Sequence, residues 1–391
     1  MAQNSRERAE RFLVQLIQRP GGDQGHGKRV HFLLWVLKRL SHVYRSVVQL
    51  RLLLYRKGVF RHHTLGCQVI SVGNLTVGGT GKTPVVEIFA RELQKEGRKV
   101  AILSRGYKKV EPGFWEKIVD KVFLREGRRP PRVVSDGQKL LLDSAWSGDE
   151  PYMLASNLPD VCVLVDKNRV KSGRFAIDKL GCDTLILDDG FQYLALKHRI
   201  QIVLVDKRNP FGNENTLPRG ILREPIKNIE RADFIFITKC DGSGVEELKS
   251  RIRELNSKAE IIQCTHCARY LMDVFSREKM ELSQLKGMNV VALSGIAVPS
   301  GFESELEKNG ATILDRRRFT DHHRYTQQEI IDIVNSSKRM NADAIITTEK
   351  DAVRFPKLDR HDVPIYFLRV DIEILSGAED FHDCISRICF R

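Results

Sequence analysis

Between residues 69 and 87 the chain reads VISVGNLTVGGTGKTPVVE, and few folds can accommodate such a stretch. The β-branched run 69–72 predicts a strand, a loop dense in glycine follows, and Pro84 opens a segment with helical spacing. Gly78, Gly79 and Gly81 can take backbone angles closed to other residues. Successive N–H groups can then turn inward as a nest for phosphate oxygens at the positive end of a helix. Lys82 would reach the outer phosphates and Thr83 would offer its hydroxyl to a magnesium ion. The strict pattern wants Gly where Thr76 stands, so this is a P-loop with one departure. The expected nucleotide-binding set is Thr76, Gly78, Gly79, Thr80, Gly81, Lys82 and Thr83, with ATP and Mg2+ as the implied cofactors.

A second strand at 100–104, after a helix that Gly97 ends, completes a βαβ unit whose crossover should be right-handed over a parallel sheet. The run DTLILDDGFQ then sets an apolar strand directly before Asp188 and Asp189. Paired carboxylates at the carboxyl end of a parallel strand are where a P-loop protein holds magnesium; a plain hairpin turn at Asp-Asp-Gly is the alternative. Strands at 200–206 and 233–238 follow, joined by PFGNENTLPRGILREP, a loop too polar for a core. Thr238-Lys239-Cys240-Asp241 is similar to the guanine-reading N-K-x-D, but Thr replaces Asn, and it reads as a strand end. A second αβ region begins near Tyr270, with strands at 290–293, 312–314, 344–347 and 365–368 and a helix at 327–338. It supplies FTDHHRY and TTEKDAVRF. Gly148-Asp149-Glu150-Pro151 precedes a short helical stretch upstream.

The segment 30–55 has a strong helical pattern, with Lys38, His42, Arg45, Gln49 and Arg56 on one stripe and Leu33, Val36, Leu40, Val43, Tyr44, Val47 and Leu54 on a broad apolar face. Its longest uncharged run is far short of the ~20 residues of a transmembrane span. Two fates are open: the face lies in a bilayer interface, or it packs on the protein's own core. The net charge of +14 favours an anionic partner. With no aromatic-basic recognition module visible, nucleic acid is not expected. Eight cysteines without framework spacing read as reduced small hydrophobes, and the single C-x-x-C, Cys264 with Cys267, lacks a second pair for zinc.

The fold class that follows is α/β: a P-loop NTPase-like parallel sheet flanked by helices, a second smaller α/β domain, and an N-terminal amphipathic helix. The expected boundaries are a tail at 1–29, the helix at 30–57, the P-loop domain at 58–267 and the second domain at 268–391, with a charged insertion at 108–132.

GNLTVGGTGKTP, SRGY, GDEP, LDDGFQ, LPRGILREP, SGIAVPSGF, FTDHHRY and TTEKDAVRF occur in that order. Together they resemble the tetraacyldisaccharide 4'-kinase family over about residues 30–370. The resemblance implies transfer of the γ-phosphate of ATP to the 4'-hydroxyl of an acylated disaccharide 1-phosphate at a membrane surface. It implies Asp149 and His322, with Lys82, as catalytic residues, Thr83, Asp188 and Asp189 at the magnesium, and Arg105, Arg169, Arg223 and Glu224 near substrate or phosphate. His322 is expected from the second domain, so that the site forms between domains. A peripheral membrane monomer is expected, on the cytoplasmic face of the inner membrane in a bacterium or in an organelle of a eukaryote. A kinase of another glycolipid and a P-loop nucleotide switch are the competing classes.

Overall fold

The computed structural model describes residues 27–106, 129–356 and 362–390. Most of the expected tail and of the insertion at 108–132 lies outside them. The chain divides into two compact units. One holds the described residues through Leu103, then Gly181–Thr265 and Ile374 onward; the other holds those of Ser104–Leu180 and His266–Glu373. The division therefore differs from the contiguous boundaries expected at 267/268. The chain leaves the first unit after its second strand and returns at Gly181, so the described residues of 104–180 group with those of 266–373.

In the first unit the parallel strands run in the order Val100–Ser104, Thr184–Asp188, Gln68–Asn74, Ile200–Asp206, Phe234–Thr238 and the start of Glu260–Asp273. Fully buried strands lined with Val, Ile and Leu are what a parallel sheet covered on both faces requires. The strand that feeds the P-loop is central, and the helix Lys82–Lys95 follows the loop. Phe89 of that helix packs edge-on against Phe236 of the sheet and Phe381 of the C-terminal helix Ala378–Phe390.

The second unit has its own parallel strands, ordered Thr312–Arg318, Asn289–Ser294, Ala344–Thr348 and Ile365–Ser376. It also has an antiparallel pair, Arg132–Asp136 with Cys162–Val165; the second of these matches a strand expected at 161–165 from its apolar run, and the first was not expected. The helix Gln327–Arg339 starts with a full capping box: Thr326 and Glu329 satisfy each other's backbone N–H. Cys264 and Cys267 fall three apart on one extended strand, so their side chains point to opposite faces and cannot share a metal.

The amphipathic helix spans Lys28–Arg56, and its orientation bears on the two fates left open. Toward the first unit it turns Leu34 and Leu52 together with polar groups. Ser41 Oγ donates to the Thr216 carbonyl at 2.6 Å, Tyr44 OH to the Arg223 carbonyl at 3.1 Å, and Gln49 Nε2 to Asn228 Oδ1 at 3.0 Å. Much of the apolar surface points outward: Phe32 is 66% exposed, Val43 62% and Val47 60%, with Leu33, Trp35, Leu40, Leu50 and Leu53 beside them, whereas Val36, Tyr44 and Leu54 of the expected apolar face are half-buried. Each outward side chain, about a third to two-thirds exposed, forgoes a corresponding share of the roughly 1.5–3 kcal/mol that full burial would give. Among the described residues, these side chains are therefore not packed into a core.

Candidate active site

The P-loop is held from three sides. Gly81, at φ +83°, turns the chain into the helix through the left-handed region. Asn74 Nδ2 donates to Thr80 Oγ1 at 3.0 Å, and Thr238 Oγ1 donates to the Thr80 carbonyl at 2.9 Å. Lys239 Nζ donates to the Gly79 carbonyl at 2.6 Å and is paired with Asp206. Lys239, read from the sequence as a strand end, thus clamps the loop; its signal was the likeness to N-K-x-D. Thr76 forms an antiparallel bridge to Leu222. An extended residue needs no glycine, which explains the departure at this position.

Beside the loop, the strand Thr184–Asp188 sets Asp188 opposite Val72 of the P-loop strand. Asp189 then turns through φ +59°. A Cβ at Gly190 would lie 2.6 Å from Ser71 Oγ and 2.7 Å from Leu187 Cβ, so Asp-Asp-Gly is constrained by close packing against the P-loop strand. Arg223 Nη1 donates to both oxygens of Asp189 at 2.8 and 2.9 Å and to Gln192 Oε1 at 3.0 Å. Lys82 Nζ lies 3.7 Å from the same carboxylate. The donors Thr83, Asp188 and Asp189 are all oxygen, the set that suits a hard divalent cation. Among the described residues no group of three or more His, Cys, Asp or Glu gathers as a metal site.

Asp149 and His322 are brought together within the second unit, not contributed by separate domains. Asp149 is the first residue of the helix Asp149–Asn157, where the helix dipole favours a negative charge. His322 sits at φ +66° on its loop, its backbone N–H donating to the Gly295 carbonyl at 3.2 Å. Its Nδ1 lies 2.9 Å from Asp149 Oδ2. An ionised carboxylate only accepts, so Nδ1 carries the proton. Lys350 Nζ approaches Nε2 at 3.3 Å and pairs with Glu150 at 3.1 Å.

Arg354 was quoted within TTEKDAVRF but given no role by sequence, and it proves to be the hub of this cluster. Its side chain is fully buried. Nε donates to Asp149 Oδ2 at 2.9 Å, while Nη1 donates to Asp351 Oδ1 at 3.0 Å and to the Gly295 carbonyl at 3.2 Å. Both orienting groups thus grip Oδ2 of Asp149, whereas Oδ1 faces Arg324 at 3.7 Å. Burial pushes the Asp149 carboxyl up, but the hydrogen bond from His322 and the charge and hydrogen bond of Arg354 more than offset it. The carboxyl is held below its ordinary range.

The remaining expected residues divide. Arg223 lies against Asp189, as described. Glu224 is buried and accepts from Arg231 and Asn228 at 2.7 Å each, tying its own loop together. Arg169 is buried at the start of the helix Arg169–Leu180, with Nη1 on the Lys167 carbonyl at 3.3 Å. Arg105 is exposed.

Residues 33–389 match the family model described as tetraacyldisaccharide-1-P 4'-kinase. The chain is 34% identical to a tetraacyldisaccharide 4'-kinase of Halothermothrix orenii, covering 99% of this chain and all of that one. It is 40% identical to one from Anaeromyxobacter dehalogenans, covering 86% and 85%. Among solved structures it is similar to the apo form of LpxK from Aquifex aeolicus in complex with ATP. The TM-score is 0.71 and the identity 29%, over 92% of this chain and 100% of that one.

Proposed function

The chain belongs to the tetraacyldisaccharide-1-P 4'-kinase family, and on that premise we propose that it moves the γ-phosphate of ATP onto the 4'-hydroxyl of a tetraacylated disaccharide 1-phosphate. It is a phosphotransferase of lipid A biosynthesis with an alcohol group as acceptor.

The observation that carries the reading is the hydrogen-bonded Asp149–His322 pair in a chain that also has a P-loop. A nucleotide switch needs no base for a hydroxyl; a kinase of an alcohol does. The P-loop N–H groups and Lys82 hold the phosphates, and Arg223 adds positive charge where the transferring group gathers negative charge. Thr83, Asp188 and Asp189 would hold Mg2+, which when bound neutralises charge on the phosphate oxygens. Arg105 and Arg169 are assigned to phosphate contacts on nucleotide or lipid.

The acceptor hydroxyl donates to Oδ1 of Asp149, since His322 and Arg354 both take Oδ2. A carboxylate with a lowered pKa is a weak base, and that suffices here. In a loose transition state the attacking oxygen bonds late, so its proton leaves late and needs an acceptor in position more than a strong one. The acceptor is a lipid, and the outward apolar face of the helix Lys28–Arg56, bordered by Lys and Arg, supports residence on a membrane surface. No helix among the described residues is long and apolar enough to cross a membrane.

The test is turnover of ATP by the purified protein in detergent micelles, with and without the tetraacylated disaccharide 1-phosphate, following phosphate onto the lipid. Phosphate at the 4' position with little hydrolysis in the absence of lipid is the expected result. Hydrolysis without any lipid product would overturn the reading in favour of a switch.

A further inference from the structure

Where the amphipathic helix meets the loop at residues 213–227, the first unit has a notch lined by Ser41, His42, Arg45, Glu214, Thr216 and Lys227, among others. The mechanism above leaves it unused. Its floor is fixed by reciprocal bonds: Ser41 Oγ donates to the Thr216 carbonyl at 2.6 Å, and Thr216 Oγ1 donates to the Ser41 carbonyl at 3.0 Å. Its charge is one-sided. Glu214 is already neutralised by Arg251, whereas neither Arg45 nor Lys227 is paired with a carboxylate among the described residues. Two cations and an imidazole therefore share one solvent-open recess.

The position of the recess narrows its ligand. Arg45 and His42 lie on the basic stripe that borders the outward apolar face, the level lipid headgroups occupy once that face enters a bilayer interface. The notch is also tied to the phosphate end of the site. Tyr44, next to Arg45, donates to the Arg223 carbonyl, and the Arg223 guanidinium holds Asp189, 3.7 Å from Lys82. Lys227 follows Arg223 by four residues, so their Cα atoms are at most about 14 Å apart. That is the scale of two linked pyranose rings. We infer that the notch formed by Arg45, His42 and Lys227 binds the phosphate the acceptor lipid already carries at position 1, fixing the disaccharide so that its opposite end reaches the P-loop. The inference rests on the acceptor proposed above. A phosphomonoester carries close to two negative charges, and an Arg fork with a Lys point charge matches it.

The experiment compares wild type with Arg45→Gln/Lys227→Gln on two acceptors in mixed micelles, the tetraacyl disaccharide with and without its 1-phosphate. The variant is expected to raise the KM for the phosphorylated acceptor about tenfold, the scale of losing charge-assisted bonds to a phosphate. It should not differ from wild type on the acceptor that lacks the phosphate, and its KM for ATP should stay put. Equal losses on both acceptors, or no loss on either, would overturn the inference. So would a parallel fall in sedimentation with phosphatidylglycerol vesicles, which would give the notch to bulk headgroups. Binding of each micellar acceptor without ATP provides a separate readout. A wild type that binds the lipid but transfers nothing refutes the kinase reading, and the same variant comparison then judges the notch by affinity alone.

Discussion

Replacing Arg354 by Met should be the most damaging single change in the second unit outside its apolar core. The side chain is fully buried and bridges two carboxylates, Asp149 and Asp351, that are themselves buried. Asp351 has further ties: it accepts from the Gly295 N–H at 3.0 Å, Thr348 Oγ1 at 2.6 Å and Tyr325 OH at 3.2 Å, so it cannot swing to solvent. Methionine fills much of the space but leaves both charges without their cation. Breaking a buried ion pair in this one-sided way costs about 3–5 kcal/mol. For a cooperative unit of about 150–250 residues, each kcal/mol moves Tm by about 2–4 °C, so the midpoint should fall by roughly 6–20 °C.

The pH dependence gives a second, independent reading. Asp149, held below its ordinary pKa, contributes stability that is present above the unfolded carboxyl value and is lost as pH falls through the lower folded value. Without Arg354 the folded value rises toward or past the unfolded one, so this contribution shrinks or changes sign, and the variant should lose less stability on acidification than wild type. Thermal melts at neutral pH and across the acid range measure both effects. Adding Asp149→Asn to the variant should restore part of the loss, because the pair then fails additivity. A fall in stability under about 1 kcal/mol at neutral pH, with an unchanged acid limb, would refute the reasoning.

Three further outcomes follow from the same geometry. Asp149→Asn keeps the shape but removes the proton acceptor, and kcat should drop by about 10²–10⁴ with the KM for ATP little changed; steady-state kinetics with saturating lipid would show it. Lys239→Met cuts the tie to the Gly79 carbonyl, so nucleotide affinity measured by calorimetry should weaken about tenfold, the scale of one charged hydrogen bond; unaltered affinity would mean the loop holds itself. Val43→Glu with Val47→Glu puts two charges on the outward face of the amphipathic helix, and partition onto anionic vesicles should fall at least about tenfold while the fold is kept.

Much of this protein was legible from sequence because the signals are local. Val69–Lys82 must be a strand and phosphate loop, since β-branched residues, glycines and Gly-Lys-Thr each restrict a few neighbouring backbone angles. Asp188 and Asp189 were placed at a strand end by the apolar run before them, and the helix Lys28–Arg56 by its 3.6-residue periodicity. The order of the motifs likewise marked the family and the residues worth watching.

Tertiary structure alone decided the rest, because it turns on contacts between residues far apart in the chain. Periodicity gives a helix an apolar face but not the direction it faces; that was set by Ser41, Tyr44 and Gln49 finding partners at 216, 223 and 228. Asp149 and His322 were visible as candidates, yet their meeting within one unit depends on the described residues of 104–180 packing with those of 266–373. Arg354 and Lys239 had almost no local signal: a buried cation is recognisable only once the carboxylates or carbonyl it serves are folded around it. Local sterics wrote the elements into the sequence, whereas the pairing of buried charges, a matter of long-range contacts in a low-dielectric interior, was fixed only when those elements packed.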